Sequence, residues 1–452
     1  MKFCSTRNSQ HTVGLSAAIA QGIAPDGGLY VPERFPSFEL AAWPGEGAKS
    51  PASSVAALPL IAQRLIEPFA AGDTLHAQLA AVTGEALDFD APLVGVRDGL
   101  SVLELFHGPT SAFKDFGARF LAASLQRIRA GAPGKLTILV ATSGDTGGAV
   151  AAAFHRRPGF EVAVLYPKGM VSQRQAQQLS CWGDNVRTFA VHGNFDACQR
   201  MVKEAFQDPS LTRTHQLSSA NSINIGRLLP QMAYYCQASL QVWRRTGRKA
   251  NFIIPTGNLG NALACVWARR VGLPIGEIVL ATNSNTTVGD YLRTGHWQPR
   301  QSVNTLASAM DVGNPSNMER LRSLYPEIAD LRSQVTAFSV SDEQIRATIV
   351  RDAKEWGQVW CPHTATAAHV YRQLLGGEAK LGTGGNAPVP KEWIVVATAH
   401  AAKFNDVVEP LLGRPIPVPS QLAALLELPR QEAEIEPTLA ALRAGLQETV
   451  GS

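Results

Sequence analysis

The sequence predicts an α/β fold in which mostly parallel sheets carry helices on both faces. Three segments share one plan: a short apolar run rich in β-branched residues, a loop of small residues, and then a helical pattern. Because the apolar runs are continuous rather than alternating, we expect strands that are covered on both faces. Their alternation with helices favours right-handed βαβ units, and 45% hydrophobic residues supply a large core.

The three segments place their loops at corresponding positions. They are strand 136–142 with loop 143–147 and helix 148–155, strand 251–256 with loop 257–261 and helix 262–270, and strand 392–398 with segment 399–403. Ligands of parallel α/β sheets bind beyond the carboxyl ends of the strands. We therefore expect the three small-residue loops to share one cleft.

The chain of 452 residues is long enough for several structural units. We predict an N-terminal unit over 1–95, two central α/β parts over 96–250 and 251–412, and a C-terminal helical cap over 413–452. Two segments rich in Gly and Pro, 43–54 and 376–390, are interpreted as exposed loops.

Composition narrows the function and the cellular compartment. A net charge of +4 is too small for a dedicated nucleic-acid binder. The cysteines lie far apart without a C-x-x-C pair, which is typical of a reducing compartment. The sequence shows neither a signal-like start nor an apolar run long enough to cross a membrane. We therefore predict a cytoplasmic protein that binds neither nucleic acid nor membrane. We predict no catalytic metal, and we interpret three histidines as packed or hydrogen-bonded: His107, His363 and His400.

Lys114 is the most unusual residue of the segment 107–120 because Phe113 and Phe116 lie on either side of it. Burial among apolar groups disfavours the ammonium form and lowers the pKa of the amine, as a lysine that forms a Schiff base requires. The alternative is a surface lysine that pairs with Asp115.

Three loops are suited to bind anions. Their candidate residues are Ser143, Gly144, Asp145 and Thr146 in the first loop, Gly257, Asn258, Leu259 and Gly260 in the second, and Asn221, Ser222 and Arg227 in the turn 221–227. Backbone N–H groups at a helix start and a guanidinium both suit a phosphate or carboxylate. Ordinary turns and N-caps have the same composition, with Ser143 or Asp145 as the cap of the first helix. No loop carries a nucleotide-binding fingerprint.

Taken together, these motifs resemble the threonine synthase family, in its long-chain branch, among the pyridoxal-phosphate enzymes of the tryptophan-synthase β-subunit fold type. The resemblance spans nearly the whole chain through segments 24–32, 104–117, 141–147, 166–169, 221–227, 255–261 and 397–404. One departure is Ala401, where we expect proline. The resemblance implies fold type II, with two open, mostly parallel sheets and an N-terminal α/β unit.

The resemblance also implies a role for each candidate residue. Lys114 would form the Schiff base with pyridoxal 5'-phosphate, and Thr398 would face the pyridine nitrogen. The backbone amides of residues 257–260 would hold the cofactor phosphate. Residues 143–146 would lie near the substrate carboxylate or the phenolic oxygen of the cofactor. The leaving phosphate would be bound by Asn221, Ser222 and Arg227, with Lys168 as a weaker candidate.

The implied reaction is that of a pyridoxal-phosphate-dependent lyase. It converts O-phospho-L-homoserine and water into L-threonine and phosphate, the last step of threonine biosynthesis, with Lys114 as anchor and general base in turn. Two alternatives are a threonine-synthase-like phospho-lyase that releases 2-oxobutyrate and a non-catalytic protein that binds pyridoxal phosphate. A serine/threonine dehydratase or a cysteine synthase fits the turn 221–227 poorly. We expect a monomer or a homodimer.

Overall fold

The structure is a computed structural model that describes residues 1–40, 43, 54–381 and 391–447. Within these ranges the strands form three sheets. The strands are β1 (Phe3–Ser5), β2 (Thr12–Val13), β3 (Tyr30–Pro32), β4 (Leu93–Arg97), β5 (Leu100–Glu104), β6 (Leu136–Ala141), β7 (Phe160–Pro167), β8 (Val186–Val191), β9 (Gln216–Ser218), β10 (Ala250–Pro255), β11 (Ile275–Thr282), β12 (Thr336–Ser339), β13 (Glu392–Ala397) and β14 (Ala433–Ile435).

Helices cover these sheets. They are α1 (Leu15–Gln21), α2 (Ser54–Ala70), α3 (Leu79–Ala86), α4 (Lys114–Ile128), α5 (Asp145–Phe154), α6 (Gln173–Ser180), α7 (Phe195–Gln207), α8 (Pro209–Thr214), α9 (Ile225–Leu228), α10 (Met232–Thr246), α11 (Gly260–Arg270), α12 (Thr287–Thr294), α13 (Met318–Leu324), α14 (Ile328–Gln334), α15 (Asp342–Glu355), α16 (Pro362–Leu381), α17 (Asn405–Leu412), α18 (Ser420–Leu426) and α19 (Leu439–Gln447). None of the described helices has both the length and the apolar composition that crossing a membrane requires.

The six-stranded sheet has the order β12-β11-β10-β13-β5-β4 and is parallel except for the antiparallel pair of β4 and β5. Strand β13 lies between β10 and β5, and its last residue, Ala397, stands opposite Glu104 of β5. The carboxyl ends of these three adjacent strands therefore reach the same edge of the sheet. The loops that follow them begin side by side.

The five-stranded sheet has the order β14-β8-β7-β6-β9 and is parallel throughout. All six residues of β6 are buried. Helices α4 and α5 pack against each other and so connect this sheet with the lysine-bearing segment of the other. The predicted C-terminal cap is not purely helical, because β14 pairs with β8. A strand of three residues is too short to give a recognisable apolar pattern.

The N-terminal unit is an antiparallel sheet in the order β2-β1-β3, with helices packed beside it. Of these, α1 and α3 pack on α4, and α2 packs on α10. The last strand that starts within the predicted unit, β4, belongs to the six-stranded sheet. The predicted boundaries at 95, 250 and 412 stay predictions.

The three predicted strand units are confirmed as β6, β10 and β13. Helices α5 and α11 begin at Asp145 and Gly260, two or three residues earlier than predicted, because small polar residues and glycine can occupy a first helical turn. The predicted loop 376–390 begins later than expected, since α16 continues to Leu381. Its remainder, and nearly all of the predicted loop 43–54, lie outside the described residues.

Ile138 in the middle of β6 tests how much the buried strands contribute to stability. Its side chain is fully buried, whereas that of Ile23 is 40% exposed. We expect Ile138→Ala to lower the free energy of unfolding by about 2–5 kcal/mol, because it leaves a cavity in the core. The matched variant Ile23→Ala should change it by no more than about 0.5 kcal/mol. Urea unfolding followed by circular dichroism compares the two, and equal midpoints would contradict the buried position of β6.

Candidate active site

The segment that carries Lys114 is fastened to the segment that follows β13. The backbone N–H of Phe113 donates to the carbonyl of Thr398 at 2.9 Å, and that of His400 donates to the carbonyl of Ser111 at 3.1 Å. Ser111 has a φ of 54°, which turns the chain sharply before α4 begins. Lys114 and Thr398 are therefore brought to the same edge of the six-stranded sheet, as predicted.

Lys114 is the first residue of α4 and is partly buried. Burial, together with the positive charges of Lys403 and Arg227, lowers the pKa of its amine to about 8, although the carboxylate of Asp145 opposes the shift. The alternative interpretation, a surface lysine paired with Asp115, is wrong. The Asp115 carboxylate instead accepts hydrogen bonds from the backbone N–H and the hydroxyl of Thr110 at 2.9 and 2.7 Å.

A buried ion pair joins the loops of the two large sheets. Lys403, which is fully buried, lies with its Nζ 2.8 Å from Oδ1 of Asp145 and donates to the carbonyl of Thr110 at 2.7 Å. The Gln175 side chain also donates to Asp145 at 3.1 Å. The nearby ammonium groups hold the pKa of Asp145 well below its usual range in spite of burial. The loops that carry Lys114 and Asp145 are thus connected through one ammonium group.

The loop before α5 is organised by Thr142 rather than by a helix cap. The Thr142 hydroxyl accepts hydrogen bonds from the N–H groups of Gly144 and Gly147 at 3.0 and 2.9 Å. The N-cap residue is Gly144, with a φ of 129° and no side-chain cap, so the interpretation of Ser143 or Asp145 as the cap is wrong. In the described part of the chain, the partly exposed hydroxyls of Ser143 and Thr146 make no hydrogen bond, which leaves them free for a ligand.

The loop before α11 brings backbone close to a neighbouring segment. Leu259 adopts a left-handed φ of 64° as the residue before the helix, and the first N–H groups of α11 lack partners within the helix. A Cβ at Gly257 would lie 2.7 Å from the Cα of Met310, so only glycine fits there. This arrangement suits a phosphate, which binds readily at a helix start. The side chain of Asn258 donates to the Ser222 hydroxyl at 2.7 Å.

The hydrogen bond between Asn258 and Ser222 brings the turn 221–227 to the loop before α11. Within this turn Arg227 is 3% exposed and donates to the carbonyl of Ala220, while its Nε is buried without a partner. Burial lowers the pKa of its guanidinium to about 10, so the group stays charged at neutral pH. Among the described residues Arg227 forms no close ion pair and is only partly offset by the Asp115 carboxylate, so its buried charge favours a bound anion.

Lys168 does not join this group of residues by any contact. Its ammonium lies 2.6 Å from the carboxylate of Glu434 on β14, at the other side of the five-stranded sheet from β6. The structure therefore favours Arg227 over Lys168 as a partner for a phosphate. Neither residue is tested by a bound ligand, and both assignments stay predictions.

Sequence reasoning missed the role of Lys403, whereas it interpreted His363 correctly. His363 is 2% exposed, its Nε2 accepts a hydrogen bond from the backbone N–H of Ala309 at 3.0 Å, and burial lowers its pKa to about 4. It is a neutral, hydrogen-bonded histidine, which confirms the interpretation made from its sequence context. The signal for Lys403 is its position among apolar residues in the segment 401–404, which is unusual for a surface lysine.

The residues present fit pyridoxal phosphate. The site offers an amine of lowered pKa at Lys114, a glycine loop packed too closely on Met310 to accept a side chain at Gly257, and a hydroxyl at Thr398. The fold has two open, mostly parallel sheets that meet at this site, as in enzymes of fold type II. Fold and site together define a pyridoxal-phosphate-dependent enzyme, and a family model described as "Pyridoxal-phosphate dependent enzyme" matches residues 87–384.

Two further family models narrow this class: "Threonine synthase N terminus" matches residues 2–87 and "Threonine synthase, C-terminal" matches residues 364–445. The chain is 38% identical to the threonine synthase of Haemophilus influenzae over 99% of both chains, and 36% identical to that of Escherichia coli over 98% of both. This chain belongs to the threonine synthase family.

Solved structures of this family share the fold. The crystal structure of threonine synthase from Escherichia coli matches with a TM-score of 0.85 at 36% identity, covering 99% of both chains. The pyridoxal-phosphate-bound threonine synthase from Brucella melitensis matches with a TM-score of 0.85 at 31% identity, covering 99% of this chain and 100% of the other. Both the predicted fold type and the predicted cofactor are confirmed.

Lys403→Met tests the electrostatic coupling between Lys403 and Lys114. The rate at which the cofactor-free protein takes up pyridoxal phosphate should rise with pH as the Lys114 amine loses its proton, with a midpoint near its pKa of about 8. Because the Lys403 ammonium lowers that pKa, its removal should shift the midpoint upward. Stopped-flow absorbance measures the rate.

Lys135→Met is the matched control, since Lys135 is exposed and pairs with Glu161 on the surface. It should leave the midpoint of uptake unchanged. An unchanged midpoint in Lys403→Met as well would show that the buried ammonium does not act on Lys114.

Proposed function

We propose that this chain converts O-phospho-L-homoserine and water into L-threonine and phosphate, with pyridoxal phosphate bound through Lys114. The observation that carries the proposal is the proximity of two groups: an amine of lowered pKa at Lys114, and a buried guanidinium at Arg227 that forms no close ion pair in the described chain and whose Nε has no hydrogen-bond partner there. The first suits a Schiff base and the second suits a phosphorylated substrate. The family shares this reaction.

We assign the cofactor to the edge where β10, β13 and β5 end. Its phosphate would be held by the backbone N–H groups of Gly257, Asn258, Leu259 and Gly260. Thr398 would face the pyridine nitrogen, and since a hydroxyl does not hold that nitrogen protonated, the ring would be a moderate electron sink. When bound, pyridoxal phosphate supplies stabilisation of negative charge at the substrate carbons.

We assign the substrate to the two polar loops beside Lys114. Its carboxylate would be bound at residues 143–146, where the hydroxyls of Ser143 and Thr146 make no hydrogen bond to any described residue. Its phosphate would be bound by Asn221, Ser222 and Arg227. The hydrogen bond of Ser222 with Asn258 would keep the two phosphate-binding segments at a fixed spacing.

We assign proton transfer to the Nζ of Lys114. An amine with a pKa of about 8 is partly neutral at physiological pH, so it can accept a proton from a substrate carbon and return it without a large free-energy cost. The Asp145 carboxylate, which Lys403 holds in place, raises the pKa of the Lys114 amine and so keeps it basic enough to accept a proton. The same residue would thus be anchor and general base in turn.

The identity of the product tests this proposal. Purified protein with O-phospho-L-homoserine should form L-threonine and phosphate in equal amounts, measured by amino-acid chromatography and a phosphate assay. Phosphate with 2-oxobutyrate would instead show a phospho-lyase, and no product despite bound pyridoxal phosphate would overturn the assignment of substrate. Lys114→Ala should remove turnover and the visible absorbance of the bound cofactor, while the far-ultraviolet circular dichroism spectrum is retained.

Arg227→Ala and Lys168→Ala separate the two candidates for the substrate phosphate. Loss of a charge-assisted hydrogen bond typically costs about 1.5–3 kcal/mol. We therefore expect Arg227→Ala to raise KM for O-phospho-L-homoserine by about 10-fold or more, with a smaller effect on kcat. Lys168→Ala should leave both constants unchanged, because its ammonium pairs with Glu434. The reverse result in steady-state kinetics would place the phosphate at Lys168.

We further propose a cytoplasmic location, no nucleic-acid partner, and a monomer or homodimer. All six cysteines are free, and five are buried, which suits a reducing compartment. The net charge of +4 supports the absence of a nucleic-acid partner. Analytical ultracentrifugation of the purified protein measures the oligomeric state.

A further inference from the structure

Arg320 on α13 lies outside the residues assigned above, yet it is fully buried. Its guanidinium donates to three acceptors in different segments: the carbonyl of Tyr30 at 2.9 Å, the carbonyl of Ile223 at 2.6 Å and the side-chain oxygen of Asn317 at 2.7 Å. One side chain therefore connects β3 of the N-terminal unit, the turn 221–227 and the start of α13.

Asn317 extends this connection to the cofactor loop. Its side-chain N–H groups donate to the carbonyl of Asn258 at 3.0 Å and to the carbonyl of Ser222 at 3.3 Å. Its oxygen is occupied by Arg320, which fixes the orientation of the amide. Arg320 therefore holds Asn317 in place, and Asn317 in turn fixes the spacing between Ser222 and Asn258.

The charge of Arg320 is offset only in part, by the neighbouring Glu319, which raises the pKa of the guanidinium. Its three acceptors are neutral oxygens, and within the described ranges it forms no ion pair. The carboxylate of the neighbouring Glu319 is directed to Arg7 and Thr6. Burial lowers the pKa of Arg320 to about 9, so the group is still charged at neutral pH. A buried cation beside the turn 221–227 favours an anion in that turn.

The N-terminal unit also supports the turn directly. The Asn224 side chain caps α9 and donates to the carbonyl of Ile19 at the end of α1 at 2.9 Å. Two carbonyls of the N-terminal unit, those of Ile19 and Tyr30, are therefore used to hold the segment that carries Ser222 and Arg227.

We propose that Arg320 is a positioning residue for the phosphate bound at the turn 221–227, and that the N-terminal unit contributes to activity by holding Arg320 and this turn in place. The identity of that anion as the phosphate of the substrate rests on the proposed function. The position and the charge of Arg320 do not depend on the proposed function.

Arg320→Met tests the proposal, with Arg7→Met as the matched control. Arg7 also connects the N-terminal unit with α13, through Glu319, but it is exposed and contacts neither phosphate loop. In Arg320→Met we expect KM for O-phospho-L-homoserine to rise 10-fold or more, while kcat changes less than three-fold. In Arg7→Met both constants should stay within two-fold of the parent. A fall of kcat with unchanged KM in Arg320→Met would overturn the proposal. Equal changes in Arg320→Met and Arg7→Met would overturn it as well.

Binding of inorganic phosphate gives a readout that does not depend on turnover. Calorimetric titration of the pyridoxal-phosphate-loaded protein should show a dissociation constant at least 10-fold higher in Arg320→Met than in Arg7→Met. If the parent binds phosphate in this way but forms no threonine, the proposed function fails and the role of Arg320 stands. If Arg320→Met binds phosphate like the parent, the role of Arg320 fails.

Two milder variants decide the matter if Arg320→Met does not fold. Arg320→Lys keeps the charge but cannot reach all three acceptors, and Asn317→Ala keeps Arg320 and removes its link to Asn258 and Ser222. Each should raise the dissociation constant for phosphate by at least three-fold, which is a smaller effect than that of Arg320→Met, and should leave kcat unchanged. Phosphate binding equal to that of the parent in both variants would overturn the proposal.

Discussion

The buried pair of Lys403 and Asp145 is the interaction on which the geometry of the site depends. Lys403 follows the last strand of the six-stranded sheet, and Asp145 is the first residue of α5, after β6 of the other large sheet. A buried ion pair adds little to stability compared with apolar packing, but loss of one partner leaves a buried charge. Because Lys403 also binds the carbonyl of Thr110, the two sheets and the lysine-bearing loop are fixed at one point.

Charge is distributed unevenly around this point. Asp145 forms a close ion pair with Lys403, whereas Lys114, Arg227 and Arg320 form no close ion pair within the described ranges and are only partly balanced by carboxylates nearby. Two of these cations lie at or behind the turn 221–227, in an interior of low dielectric constant where charges interact strongly. The site is therefore preorganised for ligands that bring negative charge, and such preorganisation costs folding stability that ligand binding returns.

The fold class and the positions of β6, β10 and β13 could be predicted because each is a continuous apolar run followed by small residues. The aromatic neighbours of Lys114 left both a buried and a surface lysine open, and it was the family resemblance that pointed to the Schiff base. Arg320 was not predictable, because its helix, Met318–Leu324, has the alternation of charged and apolar residues that a surface helix also has. The role of Arg320 arises from contacts with residues 97 and 290 positions away, and no local pattern records such distances. Strand β14 was missed for a different reason, since three residues are too few to show a period.

The pairing of β5 with β13 has a consequence for how the chain is made. Residues 100–104 pair on one side with the adjacent β4, but their parallel partner is residues 393–397, and β8 has its edge neighbour in residues 433–435. During synthesis, which begins at the N-terminus, the two large sheets stay incomplete until residues 393–397 and 433–435 have been made. Contacts of such long sequence separation form slowly, and unpaired strand edges are prone to aggregate. Each sheet therefore keeps an open strand edge until its late partner is made, and during that interval association between copies competes with folding.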